Sequence, residues 1–184
     1  PLRHSSAASD VYKRQEVIIP SFDNDKLKRP LCCGRTYISY GQLDKAEKEL
    51  NRFVNYILVN GYYEMPIVGI EPSCLLTFSD EFKTLKNVKN RDKLKNKFYL
   101  LEEFILEQIN EGNNVSSNKF DQDVLIHGHC HQKSQDRIKG LTGLLSKLNI
   151  NNKMIDSSCC GMAGSFGYNS KNYDVSKKMA NLSL

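Results

Sequence analysis

Six cysteines are the residues of this 184-residue chain whose types and spacing could do chemistry. Four of them form two adjacent pairs, each followed directly by glycine: Cys32-Cys33-Gly34 and Cys159-Cys160-Gly161. Adjacent cysteines seldom bridge each other because the resulting ring is strained. The N-terminal stretch holds no apolar run typical of a secretory signal, so metal binding or catalysis is favoured over a disulfide framework. The alternative is that these cysteines are free thiols that pack as small hydrophobic residues.

The type of metal can be inferred from the ligand set. The candidate ligands are Cys32, Cys33, Cys74, Cys130, Cys159 and Cys160. Thiolate-rich sites with few carboxylates select soft metals, either zinc or the iron of an iron–sulfur cluster. The Cys-x2-Cys spacing common in zinc sites is absent. Adjacent thiolates can reach different irons, so the spacing favours an iron–sulfur cluster.

Glycines accompany the thiols in both loops. The candidate loop glycines are Gly34, Gly161, Gly164 and Gly167. Because glycine has no Cβ, it lets the backbone approach a cluster closely. Its N–H group can also donate to a cluster sulfur, which tunes the reduction potential.

Three histidines, His127, His129 and His131, alternate with other residues around Cys130. If the strand predicted just before them continued, the imidazoles would share one face and Cys130 would lie on the other. The histidines could donate hydrogen bonds around a cluster, relay protons or bind a second metal. The alternative is that they are ordinary hydrogen-bonded loop residues.

The chain repeats itself at an offset of 127 residues, measured from Cys32 to Cys159. Each Cys-Cys-Gly triplet is followed by an aromatic–glycine pair, Tyr40-Gly41 or Phe166-Gly167, and then by a helical pattern. The repeat predicts two related units, each with a strand, a cysteine loop and a helix in that order.

The hydrophobic pattern predicts the elements that position these loops. Strands are predicted at 16–20, 66–70, 123–127 and 150–155, and helices at 42–60, 92–111, 134–148 and from 170 onward. Strands that alternate with helices predict an α/β fold with mostly parallel sheets. Ligands bind at the carboxyl ends of parallel strands in such folds, which is where most of the cysteine segments fall.

The sequence also predicts where the units begin and end. We expect residues 1–15 to be a non-native leader, because residues 10–15 look like a translated sequencing-linker sequence. The polar stretch 113–122 then separates a first unit, 16–118, from a second unit, 119–184. If the two units are equivalent, the first is truncated at its N-terminus and the second at its C-terminus.

Composition restricts the classes of partner. The formal net charge is +5, but the basic residues are scattered, so we expect no nucleic-acid partner. No apolar run reaches the roughly 18 residues that a transmembrane helix needs. We expect a cytoplasmic protein with at most peripheral contact with the inner face of the membrane.

Four segments together carry a family resemblance: LCCGR at 31–35, GIEPSCL at 69–75, HGHCHQK at 127–133 and CCGMAGSFGY at 159–168. They resemble the cysteine-rich CCG region of FAD-linked D-2-hydroxy-acid dehydrogenases with a fused iron–sulfur half. The same region is similar to that of glycolate oxidase iron–sulfur subunits and of the CCG-containing subunits of anaerobic glycerol-3-phosphate dehydrogenase and heterodisulfide reductase. The resemblance covers residues 16–184.

The resemblance implies electron transfer from FAD, through iron–sulfur centres, to a quinone or other carrier. It implies a 4Fe–4S cluster in this chain and FAD in a missing part or in a separate partner protein. Carried over by position, Cys130, Cys159 and Cys160 ligate one site. By the same carry-over, Cys32, Cys33 and Cys74 belong to the other site.

The chain departs from the family pattern at Thr77, which stands where the second cysteine of a Cys-x2-Cys segment would be. No flavin-binding stretch is recognisable, so we expect the chain to be part of an FAD and iron–sulfur oxidoreductase that does not oxidise a substrate alone. Two alternatives remain open: a thiol-chemistry subunit of the disulfide-reductase type and a zinc-stabilised module without redox chemistry.

Overall fold

The structure is a computed structural model that describes residues 17–20, 27–113 and 120–182. The leader expected at 1–15 lies outside the described residues. The chain divides into two compact units, residues 1–118 and 119–184. No helix of the described residues is both long and apolar enough to cross a membrane.

Short parallel strands and helices alternate in the first unit. Its elements are α1 (Arg35–Ser39), α2 (Leu43–Val59), β1 (Ile67–Gly69), α3 (Pro72–Ser79), α4 (Glu81–Thr84), β2 (Phe98–Leu100) and α5 (Leu101–Asn110), with 3₁₀ turns at Tyr62–Glu64 and Arg91–Leu94. β1 and β2 pair in parallel, with Ile67 opposite Phe98. Together with the parallel pair of the second unit, this arrangement confirms the predicted α/β fold.

Helix α2 forms the centre of the core of this unit, as its apolar spacing predicts. Its residues Ala46 and Leu50 are fully buried. Aromatic rings cover the adjoining part of the sheet, where Phe78 of α3 stacks on Phe98 of β2 with ring centroids 4.5 Å apart. Burial of this apolar surface is what holds the helices against the strand pair.

The prediction of one helix over 92–111 is wrong in its first half. The chain makes a 3₁₀ turn, takes a left-handed conformation at Asn96 (φ 61°) and enters β2 before α5 begins. Pairing of β2 with β1 and burial of Leu100 outweigh the helical periodicity of the sequence.

The strand predicted at 16–20 is also not present in its described part. Residues Val17 to Ile19 are exposed and have no regular secondary structure. They have no ladder partner among the described residues, and Pro20 lacks the N–H group that a ladder requires.

The second unit repeats the strand–helix–strand order. Its elements are β3 (Val124–Ile126), α6 (Cys130–Ser134), α7 (Ile138–Lys147), β4 (Asn152–Met154) and α8 (Tyr173–Ala180), with 3₁₀ turns at Phe166–Tyr168 and Ser170–Asn172. β3 and β4 are parallel, with Val124 opposite Asn152. The helix predicted at 134–148 begins later, at Ile138, because the chain turns through a left-handed Asp136 (φ 55°) after α6 ends at Ser134.

Leu50→Ala should lower the free energy of unfolding by about 2–5 kcal/mol, because it leaves a cavity under a fully buried side chain. Leu43→Ala on the same helix is the matched control. Leu43 is 48% exposed, so its loss should cost about 0.5 kcal/mol or less. Urea unfolding of both variants measures the difference, and equal losses would contradict this description of the core.

Candidate metal centre

The two Cys-Cys-Gly loops share one local geometry. Gly34 and Gly161 are both left-handed, with φ of 76° and 80°. In each loop the glycine N–H donates to the sulfur of the first cysteine, at 3.4 Å to Cys32 and 3.3 Å to Cys159. A donor aimed at the sulfur stabilises negative charge there, whether the sulfur is a free thiolate or a metal ligand.

Both glycines also lie directly against a later helix. A Cβ on Gly34 would stand 3.2 Å from the carbonyl oxygen of Ala46 in α2. A Cβ on Gly161 would stand 2.2 Å from the carbonyl oxygen of Ser176 in α8, far inside contact distance. Each loop is therefore seated on a later helix, and at Gly161 that contact leaves no room for a Cβ.

The other two predicted loop glycines differ from each other. Gly164 is left-handed, but open space lies where its Cβ would be. Gly167 is enclosed, since a Cβ there would lie 2.6 Å from the Ser176 hydroxyl and 2.7 Å from the Met162 sulfur. Close approach to a cluster stays a prediction for all four glycines.

Cys74 lies in the first turn of α3. β1 ends at Gly69, and Pro72 begins the helix with a φ angle already suited to it. The Glu71 side chain caps the helix by accepting from the Ser73 N–H at 3.0 Å. The thiol therefore stands at the positive end of the helix dipole.

The structure brings Cys33 and Cys74 into contact. Cys33 is buried and Cys74 is exposed. The Cys33 thiol keeps its proton, because the hydrogen bond with Cys74 and burial both raise its pKa. The same hydrogen bond lowers the pKa of Cys74 to about 7, against smaller opposing effects of partial burial and of the nearby Glu71 carboxylate. Cys33 and Cys74 are therefore neighbours.

Thr77 lies one helical turn after Cys74 and is fully buried. Its hydroxyl donates to the Ser73 carbonyl at 2.9 Å, so its hydrogen-bonding capacity is used within α3. The position at which the resemblance leads us to expect a second cysteine is thus filled by a packed threonine side chain.

In the second unit, the strand does not continue through the histidine segment. β3 ends at Ile126, and Cys130 is already the first residue of α6. The side chain of His129 caps that helix, accepting from the His131 N–H at 3.2 Å. The condition for the three imidazoles to share a strand face, continuation of the strand, is therefore not met. Helix formation at Cys130 is the physical reason.

The histidines have separate surroundings. Nδ1 of His127 lies 2.7 Å from the hydroxyl of Ser157, just before the second cysteine pair. The rings of His129 and His131 meet edge to face, with centroids 5.3 Å apart. Their predicted roles as hydrogen-bond donors or proton relays stay predictions.

Two residues that the sequence analysis missed hold the chain that leads into the cysteine pairs. Lys133 of α6 donates to the carbonyls of Ser157 and Ser158. Arg52 of α2 donates to the carbonyls of Arg29 and Pro30. Lys133 ends the HGHCHQK segment, which was the one available signal, and nothing local marks Arg52.

The donor set fits a thiolate-bound metal or iron–sulfur group. All six cysteines are free thiols, and glycine N–H groups already point at two of their sulfurs. In the part of the chain that the structure describes, no three His, Cys, Asp or Glu side chains stand together as a ready-made site. A bound group would therefore have to draw the thiols of a unit closer together.

Comparison with known proteins finds relatives among the subunits of a dehydrogenase. The chain is similar to the C subunit of anaerobic glycerol-3-phosphate dehydrogenase from Escherichia coli strain K12 and from strain O157:H7. Each is 27% identical over 153 residues, which is 82% of this chain and 38% of the relative. The chain thus spans well under half the length of these relatives. No protein-family model and no solved structure matches it.

Gly161→Ala should lower the free energy of unfolding by roughly 3 kcal/mol, because left-handed strain adds to a clash with the α8 backbone. Gly164→Ala is the matched control in the same loop. It carries the strain without the clash, so about 1 kcal/mol is expected. Urea unfolding distinguishes the two, and a Gly161→Ala loss no larger than that of the control would contradict the packing.

Alkylation of Cys74 by iodoacetamide in the metal-free chain should reach half its maximal rate near pH 7, the pKa of Cys74 being about 7. Cys33→Ala removes the donor that favours the thiolate, so the midpoint should rise toward about 8.5. Cys32→Ala is the control and should not raise it, because Cys32 opposes ionisation of Cys74. Mass spectrometry of the modified peptide gives the rates. An unchanged midpoint in Cys33→Ala would contradict the contact.

Proposed function

We propose that this chain is the iron–sulfur electron-transfer module of a flavin-dependent 2-hydroxy-acid dehydrogenase. Electrons would pass from FAD, through this chain, to a quinone or other carrier. The observation that carries the proposal is the doubled loop geometry, in which a left-handed glycine N–H is aimed at a cysteine sulfur in both units. The similarity to part of a dehydrogenase supports it independently.

The second unit is the better candidate for a cluster. Cys130, Cys159 and Cys160 would be its ligands, with any further ligand coming from elsewhere. Cys32, Cys33 and Cys74 would serve a site in the first unit, where Thr77 leaves one thiolate fewer than a Cys-x2-Cys segment supplies. When bound, a 4Fe–4S cluster supplies one-electron transfer at a potential set by its surroundings.

The protein groups around the thiols would tune and shield such a group. The N–H groups of Gly34 and Gly161 offset negative charge on sulfur, which favours the reduced state. His129 and His131, beside Cys130, would donate hydrogen bonds or move protons near the site. His127 would affect the site indirectly, through Ser157, because its Nδ1 already contacts the Ser157 hydroxyl.

The substrate of the whole enzyme would be oxidised at FAD, in another domain or in a separate partner protein. The motifs favour a 2-hydroxy acid, and the name of the relative refers to glycerol 3-phosphate. A 2-hydroxy acid and glycerol 3-phosphate are both small anions that carry an alcohol group, so the same transfer of electrons from FAD to this chain would serve either substrate. The module would work in the cytoplasm, with peripheral contact with the inner face of the membrane where a quinone accepts electrons.

The direct test is to produce the chain without oxygen and to count iron, zinc and acid-labile sulfide. About four irons and four sulfides per chain are expected for one 4Fe–4S cluster, and about eight of each if both units are loaded. Stoichiometric zinc without sulfide would contradict the proposal and support the non-redox alternative.

Cys159→Ala should abolish iron binding and visible absorbance in the second unit, because it removes one of the three proposed thiolate ligands. Met162→Leu is the matched control, since it removes a sulfur from the same loop without removing a thiolate. Cys74→Ala should lower the iron content less than Cys159→Ala does if the first unit lacks a full set of ligands. Retention of full iron and absorbance by Cys159→Ala would contradict the ligand assignment.

A further inference from the structure

A cationic side chain holds the backbone just before the second cysteine pair. Lys133 Nζ donates to the Ser157 carbonyl at 2.6 Å and to the Ser158 carbonyl at 2.8 Å. Ser158 immediately precedes Cys159 in the sequence. Lys133 also follows Cys130 by three residues on α6, so this contact ties the helix of Cys130 to the loop of the cysteine pair.

The first unit contains the same arrangement, built from a different element. Arg52 of α2 donates to the Arg29 carbonyl at 2.9 Å and to the Pro30 carbonyl. These carbonyls lie just before Leu31 and Cys32. In the first unit the cation comes from the helix after the cysteine pair, whereas in the second it comes from a helix before it. The shared feature is therefore the contact itself rather than a repeated sequence.

The two cations differ in how their charge is balanced. Arg52 also contacts the carboxylate of Glu49 at 3.1 Å, and the side chain of Glu49 is almost fully buried. Lys133 pairs with no carboxylate of the described residues. Its ammonium group donates hydrogen bonds to two carbonyl oxygens instead. Its charge is therefore the less compensated of the two.

We propose that Lys133 and Arg52 are positioning residues that fix the two cysteine loops, and that Lys133 also supplies positive charge that favours the reduced state of a group bound there. A charge-assisted bond to two successive carbonyls removes the freedom of the chain just before the thiols. A nearby cation stabilises the extra negative charge gained on reduction. The charge effect rests on the proposed function, whereas the positioning effect does not.

The positioning effect can be tested on the metal-free chain by amide hydrogen exchange. Lys133→Met should speed exchange in residues 157–161 about tenfold, because two hydrogen bonds to a charged group are lost. Lys139→Met is the matched control, an exposed lysine that pairs with Asp136. Amide exchange in residues 31–34 should not change in either variant. Arg52→Met should speed exchange in residues 31–34 and leave residues 157–161 unchanged. Equal exchange in Lys133→Met and the control would overturn the proposal.

The charge effect is tested on the iron-loaded chain with three substitutions of Lys133. Lys133→Arg keeps charge and donors, so it should retain iron and potential. Lys133→Gln keeps a donor without the charge and should shift the midpoint potential to more negative values. Lys133→Met should do the same and also weaken metal retention by about 10-fold or more, as the loss of a supporting hydrogen bond does elsewhere.

The outcomes separate the two claims. An unchanged potential in both Lys133→Gln and Lys133→Met would overturn the charge effect. A wild-type chain that takes up no iron would overturn the proposed function and the charge effect with it, while the exchange measurement would still decide the positioning effect. If Lys133→Met does not fold, Lys133→Ala, which also lacks a donor, replaces it in the exchange test, and exchange equal to that of Lys139→Met would again overturn the proposal.

Discussion

The turn at the glycine after each cysteine pair is the constraint on which both loops depend. Gly161 must be left-handed and must lack a side chain, because the α8 backbone occupies the place of a Cβ. The same turn aims the N–H group at the sulfur of Cys159. Seating on a helix and support of a thiolate therefore come from a single backbone conformation, and Gly34 repeats the arrangement against α2.

The two units stabilise that turn by different means. In the first unit, the loop rests on a helix that is anchored in an apolar core around Leu50, and Cys33 is itself part of the core. In the second unit, the buried apolar side chains of the described residues are few, Ile126 and Leu144 among them. There the chain before the cysteine pair is hydrogen-bonded by Lys133, which donates to the Ser157 carbonyl, and by His127, whose Nδ1 lies 2.7 Å from the Ser157 hydroxyl. A ligand that binds only the folded form would stabilise such a unit by mass action.

Much of the fold was predictable from the sequence, because its signals are local. The 3.6-residue spacing in α2 fixed that helix, and short apolar runs marked β1, β3 and β4. The strand β2 was missed because Phe98 also fits the helical spacing that Leu101 and Ile105 continue, and only pairing with β1 decides between strand and helix. Parallel pairing followed from the alternation of strands and helices.

For the candidate site, only the identity of the reactive residues was predictable from the sequence. Cysteines and glycines are visible as motifs, and the structure shows that Cys33 meets Cys74. The contacts of Lys133 and Arg52 were not predictable, because both residues bind backbone carbonyls that are more than twenty positions away and carry no sequence signature. The final positions of the thiol side chains around a metal would depend on the metal itself, so they cannot be predicted from the sequence alone.

The central claim is that this chain carries an electron on an iron–sulfur group. The most direct measurement is a redox titration of the anaerobically prepared chain, followed by low-temperature electron paramagnetic resonance. The account predicts an iron–sulfur signal that appears on reduction and disappears on reoxidation as a one-electron step. The absence of any such signal across roughly −700 to +450 mV, the range of protein iron–sulfur centres, would contradict it.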